Sequence, residues 1–389
     1  MPPPRSNSRS KSPSESRRVI EKIYFVAGEA SGDNHGAALI QALRARAPQL
    51  QFTGRGGPKM RAVAGGDFRD WIDEAAVVGL WEVVKRYKFF GEQFRRTISE
   101  VESANPAAVV LIDYPGFNLR LARALRKRSP SRKIIYYISP QVWAWNRQRI
   151  RQMKRWIDLI LCIFPFEPDL YNEAGLRAIF VGHPMAVELQ KTDIGRDLGL
   201  VGLFPGSRQR EVQKIFPIMR RAAIDLMQMR PDLHFEVAAA SEPLARIVRA
   251  EAGQDLKRFS VTVGHAQSLM GRAGVGMVAS GTATLEAALL GMPFVLVYRV
   301  AWLTYFAARL VVKIKHLGMP NVLAKREIVP EFIQHRARPR QIAATVAHLL
   351  SDEPERGRML RDFHSIAQKL GQGETSGNAA EAIFSEFHN

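Results

Sequence analysis

From about residue 22 onward, short apolar runs alternate with longer segments whose apolar positions recur at helical spacing. That alternation predicts parallel strands joined by right-handed helical crossovers. In the first half, Ile23–Ala27, Ala108–Ile112, Lys133–Ile138, Leu159–Phe164 and Ala178–Val181 read as strands, each ending in a turn rich in Gly, Pro, Asp or Ser. The pattern restarts after Gly182-His183-Pro184, with strands expected at Val201–Phe204, His234–Ala238, Ser260–Val263, Val275–Val278 and Phe294–Val297. The expected fold is therefore α/β, with two similar parallel-sheet domains facing a central cleft. Residues 21–185 form the first domain and 186–365 the second, with the boundary near Pro184–Gly195. Arg338–Asn389 reads as consecutive helices, the last of which (366–389) is expected to pack back on the first domain. Ligands of such sheets bind beyond the carboxyl ends of the strands, so function is sought in those turns.

Composition agrees with two domains, since 389 residues exceed what one hydrophobic core usually serves and 46% are hydrophobic. The single cysteine, Cys162, lies in an apolar run, reads as a small buried hydrophobe and has no intrachain partner for a disulfide, which suits a reducing compartment. Charge adds a constraint: 56 Lys and Arg against 37 Asp and Glu give a net charge of +19, which calls for an anionic partner without choosing among nucleic acid, membrane surface and phosphorylated substrate. Residues 1–20, rich in Ser, Pro and Arg, read as a disordered basic tail. No stretch approaches the roughly 20 apolar residues of a membrane-spanning helix.

The first strand runs into Gly28-Glu29-Ala30-Ser31-Gly32-Asp33, a small-residue turn opening a helix over Asn34–Arg46 that Asp33 is placed to cap. Spacing alone does not separate a ligand-binding turn from an ordinary tight one. Glu29 favours the former, because a carboxylate at a strand end has little structural use; it is a candidate catalytic residue, with Ser31 and Gly32 as substrate-binding candidates. At the end of the next strong strand Asp113 leaves an apolar run, Leu111-Ile112-Asp113-Tyr114-Pro115-Gly116-Phe117-Asn118. Partial desolvation there raises a carboxyl's pKa and makes Asp113 a general base for a hydroxyl nucleophile. The alternative, an N-cap for a helix beginning near Phe117, is weakened by the intervening Pro115 and Gly116. Asn118, and Gln141 and Trp143 in Ser139-Pro140-Gln141-Val142-Trp143-Ala144-Trp145-Asn146, are substrate-binding candidates; tryptophans two residues apart suit a sugar ring, though they also serve as core anchors.

In the second half, Leu203-Phe204-Pro205-Gly206-Ser207-Arg208 precedes a helix starting near Glu211 and sets a guanidinium beside a helix N-terminus, a cradle for a diphosphate. Ala279-Ser280-Gly281-Thr282-Ala283-Thr284-Leu285-Glu286 repeats the arrangement, with Glu286 one turn inside and able to bind ribose hydroxyls. Gly206, Ser207, Arg208, Ser280, Gly281, Thr282 and Glu286 are thus the nucleotide-binding candidates. Either loop alone also serves simple capping; two at analogous strand ends are more specific. The sequence has no Asp-x-Asp metal pair, no Cys or His cluster at ligand spacing, no Walker lysine loop and no Gly-x-Gly-x-x-Gly, so neither metal nor cofactor is expected. His35, His183 and His265 read as structural.

These loops, with Phe164-Pro165-Phe166-Glu167, Val181-Gly182-His183-Pro184 and Pro320-Asn321, resemble the lipid-A-disaccharide synthase family of glycosyltransferases over nearly all the chain after residue 20. The resemblance implies GT-B architecture, two facing Rossmann-like domains. It implies inverting, metal-independent transfer from UDP-2,3-diacylglucosamine to 2,3-diacylglucosamine 1-phosphate, giving a β-1′,6-linked disaccharide phosphate and UDP. Asp113 would take the proton of the acceptor's 6-hydroxyl, Arg208 and the helix ends after Gly206 and Gly281 would receive the departing diphosphate, Glu286 would bind ribose, and Asn321 would line the nucleotide pocket.

Acylated substrates require contact with a membrane surface. Val77–Phe94 and, with core packing an equal alternative, Trp302–Lys315 mix aromatic and basic residues as interfacial helices do. The expected location is cytoplasmic, peripheral on the inner face of a Gram-negative inner membrane, with no nucleic-acid partner; a homodimer is left open. A nucleotide-sugar epimerase would reuse the UDP loops but has no need of Asp113 beside an acyl-binding surface. A nucleic-acid-binding protein would concentrate its charge in a basic stripe instead.

Overall fold

The computed structural model describes residues 22–65, 68–72, 87–145, 148–189, 195–301, 315–371 and 373–388. The basic tail, residues 77–86 of the first interfacial segment and residues 302–314 of the second lie outside them.

Two parallel sheets carry the chain. The first comprises β1 (Lys22–Ala27), β2 (Gln51–Gly56), β3 (Phe68–Asp70), β4 (Ala108–Ile112), β5 (Lys133–Tyr137), β6 (Leu159–Cys162) and β7 (Ala178–Phe180), in the order β3-β2-β1-β4-β5-β6-β7. The second comprises β8 (Asp197–Phe204), β9 (His234–Ala239), β10 (Phe259–Val263), β11 (Ala273–Ala279), β12 (Phe294–Tyr298) and β13 (Glu331–Ile333), in the order β10-β9-β8-β11-β12-β13. Every described pairing is parallel. The α/β class with two parallel-sheet domains is what the alternating pattern anticipated.

Helices cover both faces of the first sheet, which is why its central strands β1, β4, β5 and β6 read as near-continuous apolar runs instead of alternating ones. Ile23, Phe25 and Ala27 of β1 point into one core with Leu39, Ile40 and Leu43 of the helix Ala30–Arg46; Tyr24 and Val26 point into the other with Leu119, Leu121 and Tyr136. The helix Thr375–His388 completes the first core with Ala379, Ala380 and Ile383. Its buried Glu386 lies 2.6 Å from Arg177 and 3.4 Å from Lys133. The chain's two passages between the sheets meet side by side, where His183 N donates to Leu370 O at 2.9 Å and Asn378 Nδ2 to Val181 O at 3.1 Å.

Three strands escape the hydropathy pattern. β3 and β13 have three residues each, and β2 reads Gln-Phe-Thr-Gly-Arg-Gly. Arg55, the penultimate residue of β2, is fully buried: Nε and Nη2 donate to Glu100 at 2.7 and 2.6 Å, and Nη1 donates to Gln93 at 2.6 Å. A guanidinium is tolerated there because its donors are met by a carboxylate and an amide on the covering helix Tyr87–Ala104.

Candidate functional site

In each sheet the order reverses once about its first strand, between β1 and β4 and between β8 and β11. At such a switch point neighbouring turns depart to opposite faces and leave a crevice beyond the strand ends. The register places the candidate loops there: Ala27 pairs with Ile112, so Gly28 and Asp113 leave the first sheet side by side, and Phe204 pairs with Val278, so Pro205 and Ala279 leave the second side by side.

At the first switch point Asp113 and Tyr114 are both left-handed, with φ of 45° and 49°. An L-residue pays about 1–2 kcal/mol for that conformation, so two in succession must be held by their surroundings. Asp113 N donates to Tyr137 O at 2.9 Å, while its carbonyl oxygen accepts from Tyr136 Oη at 2.5 Å and from Asn118 Nδ2 at 2.8 Å. Pro115 then starts the helix Pro115–Arg128 and disfavours the right-handed conformation for Tyr114. The Tyr114 ring lies so close over Gly28 that a Cβ there would sit 2.4 Å from its Cδ1. Burial, and secondarily the charge of Glu29, push the Asp113 carboxyl up to about 6; the same two causes push the Tyr114 hydroxyl up to about 12. Glu29 itself is exposed at the N-cap position of Ala30–Arg46 and makes no side-chain cap bond. Ser31 is exposed and Gly32 buried in the first turn.

Several assignments change. Asp33 does not cap its own helix, which begins at Ala30; buried in the first turn, it accepts from the backbone N–H groups of Gly57, Lys59 and Met60 at 2.9–3.0 Å and so caps the neighbouring helix Pro58–Ala64. Asp113 is no cap either, but for another reason than the intervening Pro115 and Gly116: both lie inside the helix, and Tyr114 occupies the N-cap position. Asn118 is fully buried, its Nδ2 shared between Ile112 O and Asp113 O, so the amide nitrogen holds the turn, while its Oδ1 has no hydrogen-bond partner among the described residues. Trp143 is no open platform: it is buried, its ring meets Phe166 edge-on at 4.9 Å, and its Nε1 donates to Glu167 at 3.0 Å. Gln141 is exposed beside it. The side chain of Trp145 and all of Asn146 lie outside the described residues.

Glu167, given no role by sequence, is a third carboxyl at a strand end, fully buried and pushed up by burial to about 7, with Phe164 N also donating to it at 3.1 Å. His183 is buried, accepts from Met185 N at 3.3 Å, and is pushed down to about 4 by burial and by its neighbour His35. Both observations suit structural roles.

At the second switch point the groups are open. Gly206 takes φ 114°, and Arg208 is the N-cap of Gln209–Met229, its side chain 71% exposed and 3.0 Å from Glu211. Ser207, Gly281 and Thr282 are exposed, Ser280 partly so, and Gly281 is the N-cap of Thr282–Leu289. Thr284 Oγ1 is spent internally, donating to Gly281 O at 2.8 Å. Glu286 is half-buried, and desolvation holds its carboxyl above the usual range. Asn321 turns inward. It is fully buried, donating to Val329 O and Glu331 and accepting from Ile328 N and Val329 N at 2.8–2.9 Å, which exhausts an amide's capacity. A His and two carboxylates do meet elsewhere, His348, Asp352 and Glu355, with ligand atoms within 4.8 Å; they lie at a helix junction, not at a strand end, with His348 Nε2 3.2 Å from Asp352 and 2.6 Å from Glu355.

The two crevices thus offer a desolvated carboxyl with a neighbouring carboxylate, and two helix N-termini with an exposed guanidinium. A family model described as lipid-A-disaccharide synthetase matches residues 23–384. The lipid-A-disaccharide synthase of Koribacter versatilis is 39% identical over 92% of this chain and 96% of its own, and that of Geobacter sulfurreducens 37% over 93% and 96%. Among solved structures, a putative UDP-N-acetylglucosamine 2-epimerase from Listeria monocytogenes superposes with TM-score 0.64 at 14% identity, covering 95% of this chain and 97% of that one. The glycotransferase of kitacinnamycin superposes with TM-score 0.61 at 14% identity, covering 94% and 99%. At such identity these two speak for the GT-B fold alone.

Proposed function

The chain belongs to the lipid-A-disaccharide synthase family, glycosyltransferases of lipid A biosynthesis, and on that premise we propose that it joins UDP-2,3-diacylglucosamine to 2,3-diacylglucosamine 1-phosphate with inversion. The observation that carries this reading is Asp113, a carboxyl desolvated to a pKa of about 6 at the first switch point. A base poised near the working pH is ionised yet basic enough to take a proton. Asp113 takes the proton of the acceptor's 6-hydroxyl, that oxygen bonds to the donor's anomeric carbon from the face opposite UDP, and the bond to the β-phosphate oxygen breaks. Glu29, exposed beside it, faces the sugar hydroxyls.

The departing diphosphate gathers negative charge, which Arg208 and the N-termini of Gln209–Met229 and Thr282–Leu289 stabilise without a metal. Gly206, Ser207, Ser280, Gly281 and Thr282 supply close-approaching backbone and hydroxyls, Glu286 binds ribose, and Ser31, Gly32 and Gln141 line the acceptor side. No described helix is long and apolar enough to cross a membrane. The acylated substrates are reached at the surface of an anionic leaflet through the segments around Val77–Phe94 and Trp302–Lys315, on the inner face of the inner membrane.

The test is UDP release from UDP-2,3-diacylglucosamine with and without 2,3-diacylglucosamine 1-phosphate, in detergent with a chelator. Acceptor-dependent, chelator-resistant release that collapses in Asp113→Asn supports the substrates, the metal independence and the base. Folded protein that releases no UDP in response to acceptor overturns the substrate assignment.

A further inference from the structure

Tyr136 is the penultimate residue of β5, opposite Leu111 of β4, in a strand that reads Lys-Ile-Ile-Tyr-Tyr. Packed among Leu119, Leu121 and Trp71 it looks like any core aromatic, and a phenylalanine would fill that space equally well. It carries a hydroxyl instead, fully buried and held neutral far above the ordinary tyrosine range by desolvation. A buried hydroxyl is costly unless bonded. This one donates 2.5 Å to the carbonyl oxygen of Asp113, whose second acceptor position is filled by Asn118 Nδ2 at 2.8 Å.

That carbonyl belongs to the peptide joining the two left-handed residues. The backbone before it is fixed by the sheet, through Asp113 N and Tyr137 O, and the backbone after it by Pro115. The intervening peptide sets the direction of the Asp113 Cα–Cβ bond. Left to itself it would relax out of the left-handed conformation and turn the carboxylate away from the crevice.

We propose that Tyr136 is a positioning residue for the transfer: its hydroxyl locks the reversed Asp113–Tyr114 peptide, and so holds the Asp113 carboxylate in its desolvated place. The inference rests on the reading of Asp113 as the base. Asn118 shares the same oxygen, but its Nδ2 also bonds Ile112 O, so it ties the helix to the strand, whereas Tyr136 acts on the Asp113 peptide alone.

The experiment compares Tyr136→Phe with Tyr24→Phe in the full chain. Tyr24 is as deeply buried in the same sheet, in β1 two strands away, and its hydroxyl likewise donates a single bond, to the Glu100 carboxylate at 2.7 Å, away from the strand ends. Both variants are expected to melt a few degrees lower. Tyr136→Phe alone should lower kcat about tenfold with KM for either substrate within about twofold, because positioning is lost and binding is not. Its acid limb of kcat/KM should also move from near 6 towards the ordinary carboxylate range as Asp113 regains solvent. Wild-type kcat and an unmoved limb in Tyr136→Phe would overturn the inference, as would an equal loss in Tyr24→Phe, which would make the effect general loosening. Asp113→Asn separates the two readings. If it is inactive while Tyr136→Phe is normal, only this inference falls; if it is fully active, the base and its positioning residue fall together.

Discussion

At the first sheet's switch point the backbone of the turn and its neighbouring amides are tied down by buried side chains, while at the second sheet's the polar side chains stand largely open. Around Asp113 a carbonyl takes two donors, Asn118 bridges strand and helix, and Asp33 collects three amides. Around Gly206 and Gly281, Ser207, Arg208, Gly281 and Thr282 are exposed, and Arg208 has an ion pair with Glu211. One crevice is built to hold a carboxylate in one place, which chemistry needs; the other presents donors to whatever arrives, which suffices to bind a diphosphate.

That contrast is tested most severely by Asp113→Asn. Removing the base should lower kcat about 10²–10⁴-fold. It should also stabilise the fold at neutral pH. Because the folded pKa is raised, from 3.8 to about 6, the protonated form is favoured on folding; that advantage is present below the unfolded pKa and is lost as pH rises through about 6. An uncharged Asn escapes the loss, so denaturant titration should show a gain of up to about 3 kcal/mol above pH 7, at about 1.4 kcal/mol per pKa unit, and little gain below pH ~4. A destabilised Asn variant at pH 8 would mean that the carboxylate is stabilised where it sits.

Asn321→Ala comes next, and its effect should fall wholly on stability. It strands the N–H groups of Ile328 and Val329 and the Val329 carbonyl, a loss of about 2–4 kcal/mol. KM for the UDP-sugar, measured on folded protein, should not change; a rise would return Asn321 to the nucleotide site. Arg208→Ala should do the reverse. An exposed guanidinium adds little stability, so thermal unfolding should be unchanged while kcat/KM for the donor falls about tenfold, the two helix N-termini keeping the remainder.

Asn321 also marks the limit of what the sequence discloses. Strand-end turns were legible because apolar runs stop at Gly, Pro, Asp or Ser, and that alone located Glu29, Asp113, Arg208 and the Ser280–Glu286 loop. Hydropathy does not say which way a polar side chain then turns. Asn118, Trp143 and Asn321 are polar-capable side chains like Arg208, yet each lies in the first turn of a helix and folds inward to satisfy backbone or a buried carboxylate. Tyr136 is the converse case, a hydroxyl bonded to the Asp113 turn but concealed in an apolar strand, and β2 stayed hidden because its buried Arg55 reads as surface. Each failure has one cause: a polar group in the core is identified by its partner, and that partner is distant in sequence.

The smallest effect belongs to Glu29, and it divides the first crevice more finely. Burial is the larger reason for the raised Asp113 pKa and the Glu29 charge the lesser, so Glu29→Gln should lower the acid limb of kcat/KM by less than about one pH unit and leave most of the shift in place. Lowering the pKa makes the ionised base more abundant at pH 5 and weaker at pH 8. The variant should therefore lose less activity than wild type on acidification, while its plateau falls modestly. A limb that drops to the ordinary carboxylate range would make like-charge repulsion the dominant cause. An unmoved limb with a large loss of kcat would place Glu29 on the substrate, acting through the sugar hydroxyls instead of through Asp113.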